Sequence, residues 1–137
     1  MKKVLVLCTG NACRSQMLEG FLRSSGVDVQ SAGVESHGLN PYAVRVMNEL
    51  NIDISKNISK NINKLNINSF DIIITVCDHA KESCPNITQI ETKIHKPFTD
   101  PAIFNGSDDE KILKFRVVRD QISIFCSQFL YQFYNLK

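Results

Sequence analysis

Three consecutive isoleucines, Ile72-Ile73-Ile74, limit the folding of this chain more than any other stretch. A β-branched run that is apolar at every position suits a strand buried on both faces, the habit of a parallel sheet covered on each side. Residues 71–76 therefore read as a central strand. Residues 3–7, 27–31 and 91–95 read as three more. Between them lie helical patterns. In 15–24 the apolar residues Met17, Phe21 and Leu22 fall at helical spacing. Asn40-Pro41 supplies a cap and a first-turn proline for a helix whose stripe is Ala43, Val44, Val46, Met47 and Leu50. Asp108–Tyr134 reads as a long amphipathic helix with Ile112, Phe115, Val118, Ile122, Phe125 and Phe129 on one side. Asp108 and Asp109 suit its positive end. Residues 51–68, rich in Asn, Ile and Lys, are expected to hold one short helix, with Lys56, Lys60 and Lys64 on a solvated face. Strands alternating with helices, joined by right-handed crossovers, predict the α/β class: a doubly wound, flavodoxin-like parallel sheet flanked by helices in one domain over residues 1–137.

Such a sheet binds ligands beyond the carboxyl ends of its strands. Cys8 and Cys77 stand at two of those ends, the first sign that they meet. Composition narrows the class of ligand. The net charge is +2 and no Lys/Arg cluster marks a nucleic-acid face, so any anion site must be local. No apolar run approaches the roughly 20 residues that span a bilayer. The apolar stretch after Lys2-Lys3 is cut off by Thr9-Gly10-Asn11, short of the about 7–15 residues of an export signal. A reducing, cytoplasmic setting is the expectation, with a monomer as the default. The chain has five cysteines. In a reducing compartment cysteines serve catalysis, metal binding or packing rather than a disulfide scaffold.

The densest signal is Cys8-Thr9-Gly10-Asn11-Ala12-Cys13-Arg14-Ser15: a cysteine, five residues and an arginine, placed between a strand and a helix. A loop entering a helix N-terminus aims several backbone N–H groups at one point. Gly10 tolerates backbone angles that other residues resist. Arg14 brings a planar, permanently charged fork that matches an oxyanion. The same field favours thiolate at Cys8, and Ser15 can donate a hydroxyl hydrogen bond to it. Asn11 is expected to hold the loop's shape through its side chain. The loop makes its own nucleophile and holds a tetrahedral oxyanion against it, with Thr9 through Ser15 as the oxyanion-binding residues.

This segment resembles the phosphate-binding loop of the low-molecular-weight protein tyrosine phosphatases and the arsenate reductases related to them. The resemblance extends through Ser31-Ala32-Gly33, Asn40-Pro41, residues 71–77 and Asp100-Pro101, and it implies a four-stranded parallel sheet. Three features separate the branches. Ser15 is followed by Gln16-Met17, as in the reductases, where phosphatases usually carry proline. Asp100-Pro101 is followed by Ala102, where phosphatases place aromatics that line a slot for a phenol ring, although Phe98 and Phe104 remain available for such a slot. Residues 76–85 place Cys77 and Cys84 seven positions apart at a strand end. Read from the residues alone, that pair is a core cysteine with a loop cysteine, half of a zinc site with His79, or a redox pair. Zinc lacks its further ligands nearby. The thioredoxin-linked arsenate reductases carry such a pair.

The resemblance then implies an arsenate-detoxifying oxidoreductase in which Cys8, Cys77 and Cys84 pass oxidation along the chain to external thioredoxin, with no bound cofactor. Phosphate and sulfate are competing anions, and a low-molecular-weight phosphatase is the alternative. Asp100 is the implied general acid, against a plain turn-capping role. Residues 78–90 are expected to rearrange on oxidation, because Cys77 must pair with two different partners. Cys13 and Cys126 read as structural, and His37 and His95 are given no role. Some family reductases bind potassium near the loop. Asn11, Glu19 and Ser31 match that donor set, but Ile58 and Lys60 stand where the other two donors belong. The Lys60 ammonium is the expected substitute that steadies Glu19.

Overall fold

The computed structural model describes residues 2–78 and 87–135. Four strands, β1 (Lys3–Cys8), β2 (Asp28–Gly33), β3 (Ile72–Thr75) and β4 (Thr92–His95), form one parallel sheet in the order β2-β1-β3-β4. The chain runs from β1 to one side and returns to the other side for β3, so the loops leaving these two strands diverge and open a crevice there. Ile72, Ile73 and Ile74 are all buried, as their unbroken apolar run requires.

Three helices, α1 (Arg14–Ser24), α2 (Pro41–Asn48) and α3 (Asp108–Tyr134), pack on one another and bury Val4, Val6, Val29, Ile72 and Ile74 on one face of the sheet. The other face, with Leu5, Leu7, Ala32 and Ile73, is covered by Phe70, Ile90 and the partly buried Ile62, Leu65, Ile67 and Ile87. This cover corrects one expectation. Residues 51–68 hold two short 3-10 turns, Ile62–Lys64 and Ile67–Ser69, and no α-helix. Asparagine side chains compete with helical backbone bonds: Asn61 accepts from the Asn63 N–H at 2.9 Å and starts a turn instead. Ile58 is correspondingly 75% exposed.

Local chemistry explains the helix ends. The Asn40 side chain accepts from the N–H groups of Tyr42 and Ala43, with Pro41 next in line. Leu50, expected on the apolar stripe of α2, lies beyond the end of that helix and is exposed. Ser107 and Glu110 form a reciprocal capping box at the start of α3, a serine and glutamate three apart that the sequence carries openly. The six apolar residues expected on the buried side of α3 are all buried. Among the described residues no helix is long and apolar enough to cross a membrane.

Candidate active site

β1 carries Cys8 to its carboxyl end, and the next five residues turn into α1. Three carbonyls of that turn are used by the segment after β2. Glu35 N–H bonds to Thr9 O, His37 N–H to Gly10 O and Asn40 N–H to Ala12 O, each at 3.0 Å. In a trans peptide the N–H points away from the preceding carbonyl. Anchoring these carbonyls outward therefore turns the N–H groups of Gly10, Asn11 and Cys13 inward. The Asn11 N–H reaches Cys8 Sγ at 3.2 Å. The first turn of α1 has no side-chain cap and no acidic residue, which leaves its positive end open to an anion.

The left-handed residue in the loop is Asn11, with φ of 49°, and not Gly10 as the sequence suggested. Gly10 leaves room for the half-exposed ring of His37, which a Cβ there would push aside. Gly33, opposite Cys8 in the β1–β2 register, is required outright, since a Cβ would lie 2.6 Å from the backbone carbonyls of Thr9 and Glu35.

The Asn11 side chain is buried and has all its bonding capacity filled. Its Nδ2 donates to Ser15 Oγ and Ser31 Oγ, both at 2.9 Å. Its Oδ1 accepts from Gln16 Nε2 at 3.1 Å and from the Lys60 N–H at 2.9 Å. Ser15 Oγ, already accepting from Asn11, has its hydroxyl proton free for Cys8 Sγ at 2.9 Å. With that proton directed at it, the sulfur faces two donors. Sequence reasoning missed the segment that braces this loop from outside. Ser59 Oγ donates to Gly10 O at 3.2 Å, Gly33 N–H donates to Lys60 O at 2.9 Å, and Asn57 Nδ2 donates to Gln16 Oε1 at 3.0 Å. Residues 57–60 lie in an Asn-rich stretch whose pattern gave no sign of this work.

The loop forms the floor of a cavity of about 810 Å³, lined also by His37, Leu39, Asp78, Phe98, Asp100 and Ile103. Arg14, buried, donates to Phe98 O at 3.2 Å and lies 3.6 Å from Asp100 Oδ2. Asp100 combines two readings: it borders the cavity, and its Oδ1 accepts from the Ala102 N–H at 3.0 Å to cap a 3-10 turn. Cys13 is a buried free thiol that donates to Asp100 Oδ1 at 3.5 Å. Burial and the neighbouring Asp100 push its pKa far up, so it stays a thiol. Cys126 is buried in α3, its pKa pushed up to about 11 by burial. Phe104 does not line the cavity; its ring lies 5.8 Å from Lys114 Nζ, and Ile103 lines the cavity instead. His37, given no role from sequence, lines the cavity and pairs with Glu35. His95 hydrogen-bonds Thr75 Oγ1 at 2.6 Å.

Cys77 is buried and disulfide-bonded, while Cys8 is a free thiol. β1 and β3 pair with Leu7 opposite Thr75, and Val76 N–H bonds to Leu7 O at 2.9 Å. Cys77 thus follows the residue opposite Cys8. With strands about 4.8 Å apart and a rise of about 3.3 Å per residue, the two Cα atoms come to about 6 Å, inside the range a disulfide spans. Cys84, His79 and most of the segment expected to rearrange lie outside the described residues.

The donor set for a potassium ion does not assemble. Asn11 and Ser31 bond to each other, Ile58 points to solvent, and Glu19 is bonded by Arg23 at 2.9 Å and Asn57 at 3.0 Å. The expected substitute, Lys60, is half-buried. Desolvation lowers its pKa against the pull of Glu19, and it reaches the loop through its backbone rather than its ammonium.

Comparison with known proteins agrees with this geometry. The family model for low molecular weight phosphotyrosine protein phosphatase matches residues 3–137. The arsenate reductase of Halalkalibacterium halodurans is 44% identical over 124 residues, covering 88% of this chain and 89% of that one. The arsenate reductase of Bacillus subtilis matches to the same extent. A solved structure of an arsenate reductase in the phosphate binding state superposes with a TM-score of 0.82 at 32% identity, covering 96% of this chain and 98% of that one. The chain belongs to the low molecular weight phosphotyrosine protein phosphatase family and groups with those of its members that are named arsenate reductase.

Proposed function

We propose that this chain reduces arsenate to arsenite by a three-thiol relay. The observation that carries the reading is the placement of Cys8, a free thiol inside an anion-binding loop, one strand away from a second cysteine already in a disulfide. Arsenate sits on the inward N–H groups of the loop and on Arg14. Cys8 thiolate attacks arsenic, an S–As bond forms, and an oxygen leaves as water with a proton from Asp100. Cys77 thiolate then attacks Cys8 Sγ. An S–S bond forms, the S–As bond breaks, and its electron pair stays on arsenic, which departs as trivalent arsenite. Cys84 attacks Cys77 and frees Cys8. A free Cys8 beside an oxidised Cys77 supports this order, because it is the arrangement reached once the disulfide has left Cys8.

An external dithiol, thioredoxin in our reading, returns the last disulfide to thiols, so the electrons come from cysteines and no bound cofactor is needed. The protein acts as a monomer in the cytoplasm. The phosphate-bound relative supports phosphate as a competing anion. The apolar lining from Leu39, Phe98 and Ile103 favours a second, slower reaction, hydrolysis of aryl phosphates, which requires Cys8 and not Cys77.

The test is arsenate-dependent NADPH consumption with thioredoxin and thioredoxin reductase. Wild type is expected to turn over, and Cys8→Ser, Cys77→Ser and Cys84→Ser each to stop. A wild type silent with arsenate that hydrolyses aryl phosphate quickly, and needs only Cys8, overturns the reading in favour of a phosphatase.

A further inference from the structure

Glu19 is a carboxylate on α1 with 3% of its side chain exposed, and it takes no part in the chemistry above. A buried carboxylate requires a compensating charge. The cation in direct contact is Arg23, one helical turn on, whose Nη1 lies 2.9 Å from Glu19 Oε2, while the half-buried Lys60 attracts it from farther off. The guanidinium is itself clipped in place: Nη2 donates to Val29 O on β2 at 3.1 Å and Nη1 to Asn57 Oδ1 at 3.4 Å. Glu19 Oε1 has no hydrogen-bond partner, so its satisfaction rests on Oε2, which Arg23 shares with Asn57. From Asn57 the bonds run inward without a break. Asn57 donates to Gln16 Oε1, Gln16 donates to Asn11 Oδ1, and Asn11 donates to Ser15 Oγ, which faces Cys8 Sγ.

We infer that Arg23 is a positioning residue for the anion loop: a tethered cation that fixes Glu19 and Asn57 and, through Gln16 and Asn11, holds the loop in its anion-binding shape without a monovalent metal ion. Arg23 lies outside the cavity lining, and its head group is half-exposed. It acts through a fixed charge in direct contact with a buried group. Asn57 has its Nδ2 bonded to Gln16 and Glu19 at 3.0 Å each, so its amide orientation depends on Glu19 being in place. The inference concerns the loop as an oxyanion receptor and holds whichever oxyanion is turned over.

The experiment therefore avoids turnover. Alkylation of Cys8 by iodoacetamide is followed by peptide mass spectrometry, and its protection by inorganic phosphate gives the phosphate affinity of the loop. The measurement is made for wild type, Arg23→Ala and Arg23→Lys, in potassium chloride and in tetramethylammonium chloride at equal ionic strength, with melting temperature recorded alongside. Wild type is expected to bind phosphate equally in both salts. Arg23→Ala is expected to lose about tenfold in phosphate affinity, the scale of a small misplacement of a positioned group, and to regain part of it with millimolar guanidinium ion. Arg23→Lys keeps the charge and most of the affinity. A wild type that binds phosphate several-fold more tightly in potassium overturns the inference, even if Arg23→Ala fails to fold. So does a folded Arg23→Ala with wild-type affinity, or an Arg23→Lys no better than alanine.

Discussion

Replacing Asn11 by alanine takes four hydrogen bonds out of a fully buried position, those with Ser15, Ser31, Gln16 and the Lys60 N–H. At about 1 kcal/mol for each neutral bond, the side chain accounts for about 4 kcal/mol. The backbone adds to this. Asn11 sits at φ of 49°, where a Cβ without a compensating local bond costs about 1 kcal/mol more. The sum, about 5 kcal/mol, is the size of the whole stability of a marginal domain, and lowers the melting temperature by roughly 15 °C. Two further variants separate the terms. Asn11→Gly relieves the backbone cost and should melt about 3 °C above the alanine variant. Asn11→Asp keeps the local backbone preference but loses both Nδ2 donors and sets a negative charge near Cys8, so Cys8 alkylation slows in a protein that still folds. Thermal and urea unfolding measure the first two effects. An alanine variant within about 1 kcal/mol of wild type, or a glycine variant no more stable than alanine, refutes the reasoning.

Other outcomes follow from the same structure. Asp100→Asn retains an oxygen to cap the turn at Ala102 but cannot deliver a proton, so arsenate turnover falls by about a hundredfold while arsenate still protects Cys8 from alkylation; unchanged turnover removes the role. Ser107→Ala breaks the capping box of α3 and costs about 1 kcal/mol in urea unfolding. Glu49 is held by Arg116 and Arg119 at a pKa of about 2, below its ordinary 4.5. A pKa lowered by folding gives stability that is complete above the ordinary value and disappears as pH falls toward the folded one. The melting temperatures of wild type and Glu49→Gln should therefore differ near neutrality and converge between pH 4.5 and 2; a gap independent of pH excludes the ion-pair explanation.

The fold was legible wherever one signal dominated. Ile72-Ile73-Ile74 marks β3, Asn40-Pro41 starts α2 where the cap geometry requires, and the stripe from Ile112 to Phe129 defines the buried face of α3. The turn from Cys8 to Arg14 announced its chemistry because strand, cysteine, arginine and helix come in one continuous run. What stayed hidden depends on partners distant in sequence. Asn57, Ser59 and Lys60 brace the loop through bonds to residues more than thirty positions away, and two of the three by way of side chains common in any solvated stretch. Gly10 was read for flexibility because the ring of His37 above it could not be foreseen. Arg23 carried no signal in the sequence; its task follows from the burial of Glu19 beside it.

Among the described residues β4 pairs only with β3 and is the edge of the sheet, whereas β2 is crossed at its carboxyl end by residues 60–61. An open row of backbone donors and acceptors invites a strand from another chain. Here the row is four residues long, with Lys93 and His95 exposed along it and Lys96 and Pro97 closing its end. A second copy approaching edge to edge meets like charge and then a proline that cannot donate. Lys93, on a strand outside the chemistry, is thus placed where its charge opposes edge-to-edge pairing of two copies.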